Sequence, residues 1–350
     1  MSTSISAIMN SATVVFAGAL LVSCVKTPEL TKLEGFAQGT TYHLTFVLPK
    51  PAEKDAIAAE VTAELQRIDK SISNYRKDST IELFNAQQDT ESHEVNEEIV
   101  KLVEQARIVS KASNGCYDLT VKPLFELWGF KKDSFNLPDE TSLQENMKLV
   151  GMEKLIAVDA THLQKTIQNL RIDLSSIGQG YSVSRIADIL EKHDVKNYIV
   201  EIGGELKTRG KKPDGKPWRI AIEKPLPNER KLEKIAAFNS GEPMSLMTSG
   251  TYRHYFDNNG KRYSHILDAR TGKPVEHNTV SVAVLMNDPT MADAWSTALL
   301  CLGSEEGIRI ANEKGIAALY VDQQGEQLVE IPTLPMQNQP TIKWEAIQAQ

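Results

Sequence analysis

The sequence is poor in the features that mark several function classes. It has three cysteines in 350 residues, with no CxxC pair and no Cys/His spacing of the kind that holds zinc. Its 39 basic residues are scattered and outnumbered by 46 acidic ones, for a net charge of −7. A nucleic-acid partner needs a clustered basic face, and none is written here. There is no GxxxxGK[ST] phosphate loop and no GxGxxG turn, which argues against a P-loop or a dinucleotide-binding βαβ unit. No low-complexity run and no internal repeat occurs. The 41% hydrophobic composition is that of an ordinary globular chain, long enough for one large domain or two lobes.

Long apolar runs are also scarce. The main one, Ala12 to Val22, is too short to span a bilayer but has the length of a signal-peptide core, although no Lys or Arg precedes it. It ends in Leu21-Val22-Ser23-Cys24, which resembles the lipobox of bacterial lipoproteins, where the cysteine is lipidated and becomes the first mature residue. The expected organisation is a signal peptide over 1–23, a tether over 24–30 after lipidated Cys24, a main folded domain over 31–335 and a loosely ordered tail over 336–350. With Cys24 lipidated, Cys116 and Cys301 are the remaining thiols. A disulfide scaffold is not expected, although the compartment would permit one, and Cys301 reads as a core residue beside Leu299, Leu300 and Leu302.

Strands and helices alternate with hairpin-length links, which predicts an α+β fold with mixed or mostly antiparallel sheets flanked by helices. Two strands flank Gly39, and the helix after Pro51 carries Ile57, Val61, Leu65, Ile68 and Ile72 at helical spacing. Ser79 with Glu82 reads as a capping box, and Asn96 caps the next helix. Short strands are expected over 155–158, 163–167 and 170–174. Asp173-Leu174-Ser175-Ser176-Ile177-Gly178-Gln179-Gly180 turns from strand into helix, and its glycines allow close backbone approach to an anionic ligand. Gly203-Gly204 ends the strand from Tyr198, as at a bulge or where a ligand lies on the backbone.

The densest stretch runs from Ser245 to Gly303. A Thr248-Ser249-Gly250 turn is followed by His265, expected on a strand that enters the turn from Asp268 to Pro274. A valine-rich strand over 279–286 follows, and Asn287-Asp288-Pro289-Thr290 opens a helix that Gly303 is placed to end. Asp293 and Thr297 are four residues apart and face the same way. Their oxygens suit a hard cation such as Mg2+, but the spacing alone is better explained by a capped helix, and a lone histidine by a structural hydrogen bond.

Taken together, five blocks in order resemble the ApbE family of FAD:protein FMN transferases: NYRKDSTIELFN, GCYDLTVKPLFELWGF, IDLSSIGQGYSVSRIADIL, VEIGGELKTRG, and TSGTYRHYF with SHILDARTGKP and ADAWSTALLCLG. The resemblance implies an ApbE-like fold with two lobes around a cofactor cleft. It also implies Mg2+-dependent transfer of FMN from FAD to a Thr or Ser hydroxyl of a target flavoprotein, such as a subunit of a redox-driven ion pump, with release of AMP. His265 is the implied general base, and Ser176, Asp293, Ser296 and Thr297 the implied metal group. Gln38, Tyr75, Cys116, Tyr117, Asp118, Asp173, Gln179, Gly203, Gly204 and Leu267 fall at positions implied to contact the flavin dinucleotide. The implied setting is the periplasmic face of the inner membrane. The chain departs from the family pattern at Gln38, Lys122, Gln179, Glu205 and Ala269, none of which removes an implied catalytic group. An FAD pyrophosphatase and a non-catalytic flavin-binding lipoprotein are the alternatives.

Overall fold

The computed structural model describes residues 29–226 and 232–346. The signal-peptide, tether and Cys24 expectations therefore lie almost entirely outside the described residues. Eight strands form one antiparallel sheet in which spatial order follows chain order. They are β1 (Leu30–Ala37), β2 (Thr40–Val47), β3 (Tyr198–Ile202), β4 (Glu205–Arg209), β5 (Met244–Gly250), β6 (Thr279–Met286), β7 (Ala317–Gln324) and β8 (Gln327–Pro332). The helices that matter for the site are α1 (Lys54–Ile72), α2 (Thr80–Ala86), α3 (Glu97–Ala112), α4 (Gly178–Lys192) and α5 (Pro289–Glu313).

The alternation of side chains along the strands explains why the sheet is covered on both faces. Met247, Val282, Val284 and Tyr320 join the main core with Val61, Leu65, Ile186 and Leu299 from the helices. Their strand neighbours Leu246, Leu285 and Leu319 point the other way, onto a second layer that includes Trp218, Phe238 and Ile342. That layer is a three-stranded antiparallel sheet of Trp218–Glu223, Leu232–Phe238 and Ile342–Ala346. A one-residue slip of β5 or β6 would exchange the two faces, so register is fixed by both cores at once.

The helix caps form where the sequence writes them. Asn96 accepts from the Ile99 amide at 3.1 Å, and Asp288 from the Thr290 amide at 2.9 Å. Ser79 accepts from the Glu82 amide at 3.2 Å, but the Glu82 carboxylate does not close the capping box. It turns inward to Asn74, Asn85 and the buried Lys122. Gly303 breaks α5 with φ 71°, and the chain re-enters the helix at once instead of leaving it.

Three further expectations are corrected. Residues 170–174 form no strand: Asn74 and Asn85 capture the backbone amides of Leu174 and Ile172, so side chains take the place of a ladder. The segment beyond Met336 is ordered through Ala346, because Ile342–Ala346 pairs with Leu232–Phe238. Cys116 and Cys301 are joined in a disulfide across 185 residues. Both lie beneath the site, where burial conceals from the sequence that two apparent core cysteines meet.

Candidate active site

A cavity of about 250 Å³ opens where the N-terminal half of α5, the start of α4, the end of β5 and the segment around His265 converge. Asp293 sits in the first turns of α5 and is buried, and its carboxylate accepts from the Gly180 amide at 2.8 Å. This contact depends on Gly180 lacking a side chain. A Cβ there would lie 2.3 Å from the Pro289 carbonyl oxygen and 2.6 Å from the Asp293 Cβ. The glycine thus allows α4 and α5 to cross closely enough for one backbone to hold the other's carboxylate.

Glu205, at the start of β4, presents a second buried carboxylate to the same cavity and accepts from the Thr248 amide at 2.9 Å. Burial raises the pKa of Asp293, and burial together with the Asp293 charge raises that of Glu205. Two carboxylates placed this way repel one another unless a proton or a cation lies between them. Beside them, the Ser249 hydroxyl meets those of Ser296 at 2.7 Å and Thr297 at 3.0 Å. The donor set is oxygen throughout, so these residues fit a hard divalent cation.

His265 lies between the strands Lys261–Ser264 and Leu267–Asp268, not within one. Its Nδ1 donates to the His254 carbonyl at 2.8 Å, which leaves Nε2 as an acceptor. Burial, with the nearby His254 and Arg253 charges, holds its pKa down at about 4. The ring is therefore neutral across the physiological range and able to take a proton.

The family model for the ApbE family matches residues 38–320. The chain belongs to the ApbE family. It is 36% identical over 305 residues to the FAD:protein FMN transferase of Vibrio cholerae, covering 86% of this chain and 90% of that one. The FAD:protein FMN transferase of Escherichia coli K12 is 32% identical over 303 residues, covering 85% and 86%. Among solved structures, the apo flavinyl transferase ApbE of Pseudomonas stutzeri superposes with a TM-score of 0.81 at 36% identity, covering 90% of this chain and 98% of that one.

In this ApbE-family chain the cavity gathers Cys116, Tyr117, Asp118, Asp173, Ser176, Gln179, His265, Leu267, Asp293 and Thr297. A second cavity of about 470 Å³ shares Ser175 and Gln179 with it and is lined by Gln38 and by Tyr75, a residue 82% exposed. Other expected site residues have more structural duties. Ser296 lies behind the wall, fully buried, and donates to the Asp293 carbonyl at 2.8 Å. Asp118 accepts from the Thr120 and Met152 amides at 2.7 and 3.0 Å, so both its oxygens are engaged by the backbone. Cys116 is held in the disulfide and has no free thiol. Gly203 and Gly204, with φ 61° and 99°, form the tight β3–β4 turn, and a Cβ at Gly203 would lie 2.1 Å from the Gln179 amide nitrogen. Their freedom lets Gln179 approach and donate to the Ile202 carbonyl at 3.2 Å.

Sequence reasoning missed Ser249 and Arg253 and treated Glu205 only as a departure. Thr248-Ser249-Gly250 is the end of β5 and not a turn, and a serine at a strand end carries no signal by itself.

Proposed function

We propose that this protein is an FAD:protein FMN transferase that moves FMN from FAD to a Thr or Ser hydroxyl of an acceptor flavoprotein. The observation that carries the reading is one cavity holding a neutral, oriented histidine and, opposite it, a buried pair of carboxylates with adjoining hydroxyls. His265 Nε2 takes the proton of the acceptor hydroxyl as that oxygen bonds to the FMN-side phosphorus. The phosphorus–oxygen bond to AMP breaks, and AMP leaves with the electron pair. Asp293, Thr297 and Glu205 are the residues that would hold Mg2+, which when bound supplies positive charge beside the pyrophosphate. His254 keeps His265 in the tautomer that accepts, through its backbone carbonyl. Tyr75 stands at the rim of the adjoining cavity as a surface for a ring to stack on.

The test is incubation of purified protein with FAD, Mg2+ and a Thr-bearing acceptor, followed by mass spectrometry. The expected result is an FMN-sized mass gain on that Thr and its loss in His265→Ala; no gain with wild-type protein overturns the reading.

Lipidation at Cys24 and a periplasm-facing position at the inner membrane belong to the same proposal. The apolar run before Cys24 supports them, as does the Cys116–Cys301 disulfide, since such bonds persist in oxidising compartments. Recovery of an unmodified Cys24 peptide from the membrane fraction would overturn the anchor.

A further inference from the structure

We propose that Arg253 is a catalytic residue whose guanidinium clamps the pyrophosphate of the flavin dinucleotide; this rests on the transferase reading above. The cavity wall carries the carboxylates of Asp118, Asp173, Glu205 and Asp293, and among the described residues Arg253 is the one arginine or lysine that lines it. A dianionic pyrophosphate entering so acidic a cavity needs a fixed positive charge in addition to any metal. The fork of an arginine matches phosphate oxygens in geometry as well as charge.

Three details indicate that this arginine is held ready for a ligand and not used up by the fold. First, its Nη1 donates to the Gly203 carbonyl at 3.3 Å, and among the described residues no carboxylate lies within 4.0 Å of the guanidinium. Lys122, by contrast, meets the Glu82 carboxylate directly. Second, the turn beneath it is glycine. A Cβ at Gly204 would sit 3.2 Å from Nη2, so the missing side chain leaves the fork its space. Third, the clamp and the base share a backbone. His254 follows Arg253, and its carbonyl accepts from both the amide of His265 at 3.1 Å and the ring Nδ1 at 2.8 Å. A phosphate gripped by Arg253 is thereby registered against the histidine that activates the attacking hydroxyl.

A purely structural arginine would support the Gly203 turn and affect all ligands alike. A clamp distinguishes ligands by their phosphates. The experiment measures binding of FAD and of riboflavin, which lacks phosphate, to wild type, Arg253→Met and Arg253→Lys, all in Mg2+ buffer, together with FMN transfer to a Thr acceptor. The expected result is an FAD affinity at least tenfold weaker in Arg253→Met, riboflavin binding changed less than twofold, and a part of the FAD affinity and transfer rate restored in Arg253→Lys. Equal losses for FAD and riboflavin, with no recovery in Arg253→Lys, overturn the clamp in favour of a scaffold role. Unchanged FAD binding in Arg253→Met also overturns it. Absence of transfer by the wild type would overturn the transferase reading instead, and the ratio of FAD to riboflavin binding would still decide whether Arg253 holds phosphate.

Discussion

Reduction of the Cys116–Cys301 disulfide should weaken the fold and loosen the site together. The bond closes 185 residues of chain, and the entropy of so long a loop in the unfolded state is worth about 5 kcal/mol in the chain-entropy model, against about 2–4 kcal/mol typical of measured disulfides. With a guanidinium m value of about 5 kcal/mol/M, a loss of about 3 kcal/mol lowers the unfolding midpoint by about 0.6 M. The bond also joins two walls of the cavity. Cys116 precedes Tyr117, and Cys301 lies one helical turn beyond Thr297. The comparison is oxidised against reduced protein in a Cys24→Ser background, with Cys116→Ala/Cys301→Ala as the genetic equivalent. Midpoint, FAD affinity and free thiols in denaturant are read for each. Coincident unfolding curves, or two free thiols in the unreduced chain, would refute the reasoning.

Other consequences concern charge. Mg2+ at about 100 times its dissociation constant should stabilise the wild type by about 2.7 kcal/mol, and Asp293→Asn should lose most of that gain in a thermal melt; a full Mg2+ shift in the variant would remove Asp293 from the metal group. Because the His265 pKa falls from 6.5 to about 4 on folding, the unfolded chain binds the proton first as pH drops. Stability should therefore decline from pH 6.5 to 4 by up to about 3 kcal/mol, and His265→Gln should flatten that slope. Transfer by the wild type should show no loss from His265 protonation above about pH 5, and a limb near 6.5 would contradict a buried neutral base. Lys165 is fully buried, donates to the Gln87 carbonyl at 2.6 Å, and has its pKa lowered from 10.5 to about 8 by burial. Its charge costs the fold most below pH 8, and this cost is relieved as pH rises to 10.5. Guanidinium midpoints should thus rise by the equivalent of about 3 kcal/mol over that window in the wild type and not in Lys165→Met.

The parts of the fold legible in the sequence are those governed by local chemistry. Ile57, Val61, Leu65, Ile68 and Ile72 announce α1 because helical spacing places them on one face, and all are buried. The valine alternation of β6 and the caps at Asn96 and Asp288 are local in the same sense. Errors fall where distant residues intervene. No property of residues 170–174 reveals that Asn74 and Asn85 take their amides, and no property of Cys116 reveals a partner 185 residues away. A strand paired to Leu232–Phe238 is equally invisible in Ile342–Ala346, whose neighbours are polar.

The site divides along the same line. Asp293 and Thr297 share a helix face, so their convergence is written in the spacing, but that spacing fits a capped helix just as well. What separates the two explanations is Glu205, brought in from the start of β4 to face Asp293 in a buried cavity. A capped helix needs only Asp288, which already accepts from the Thr290 amide, and gains nothing from a second buried carboxylate opposite Asp293. The fold instead brings two buried acids to one cavity, with Gly180 trimmed to its backbone so that α4 can approach Asp293. Such an arrangement is costly in a chain that binds nothing there, and a cation held by these oxygens would offset the cost.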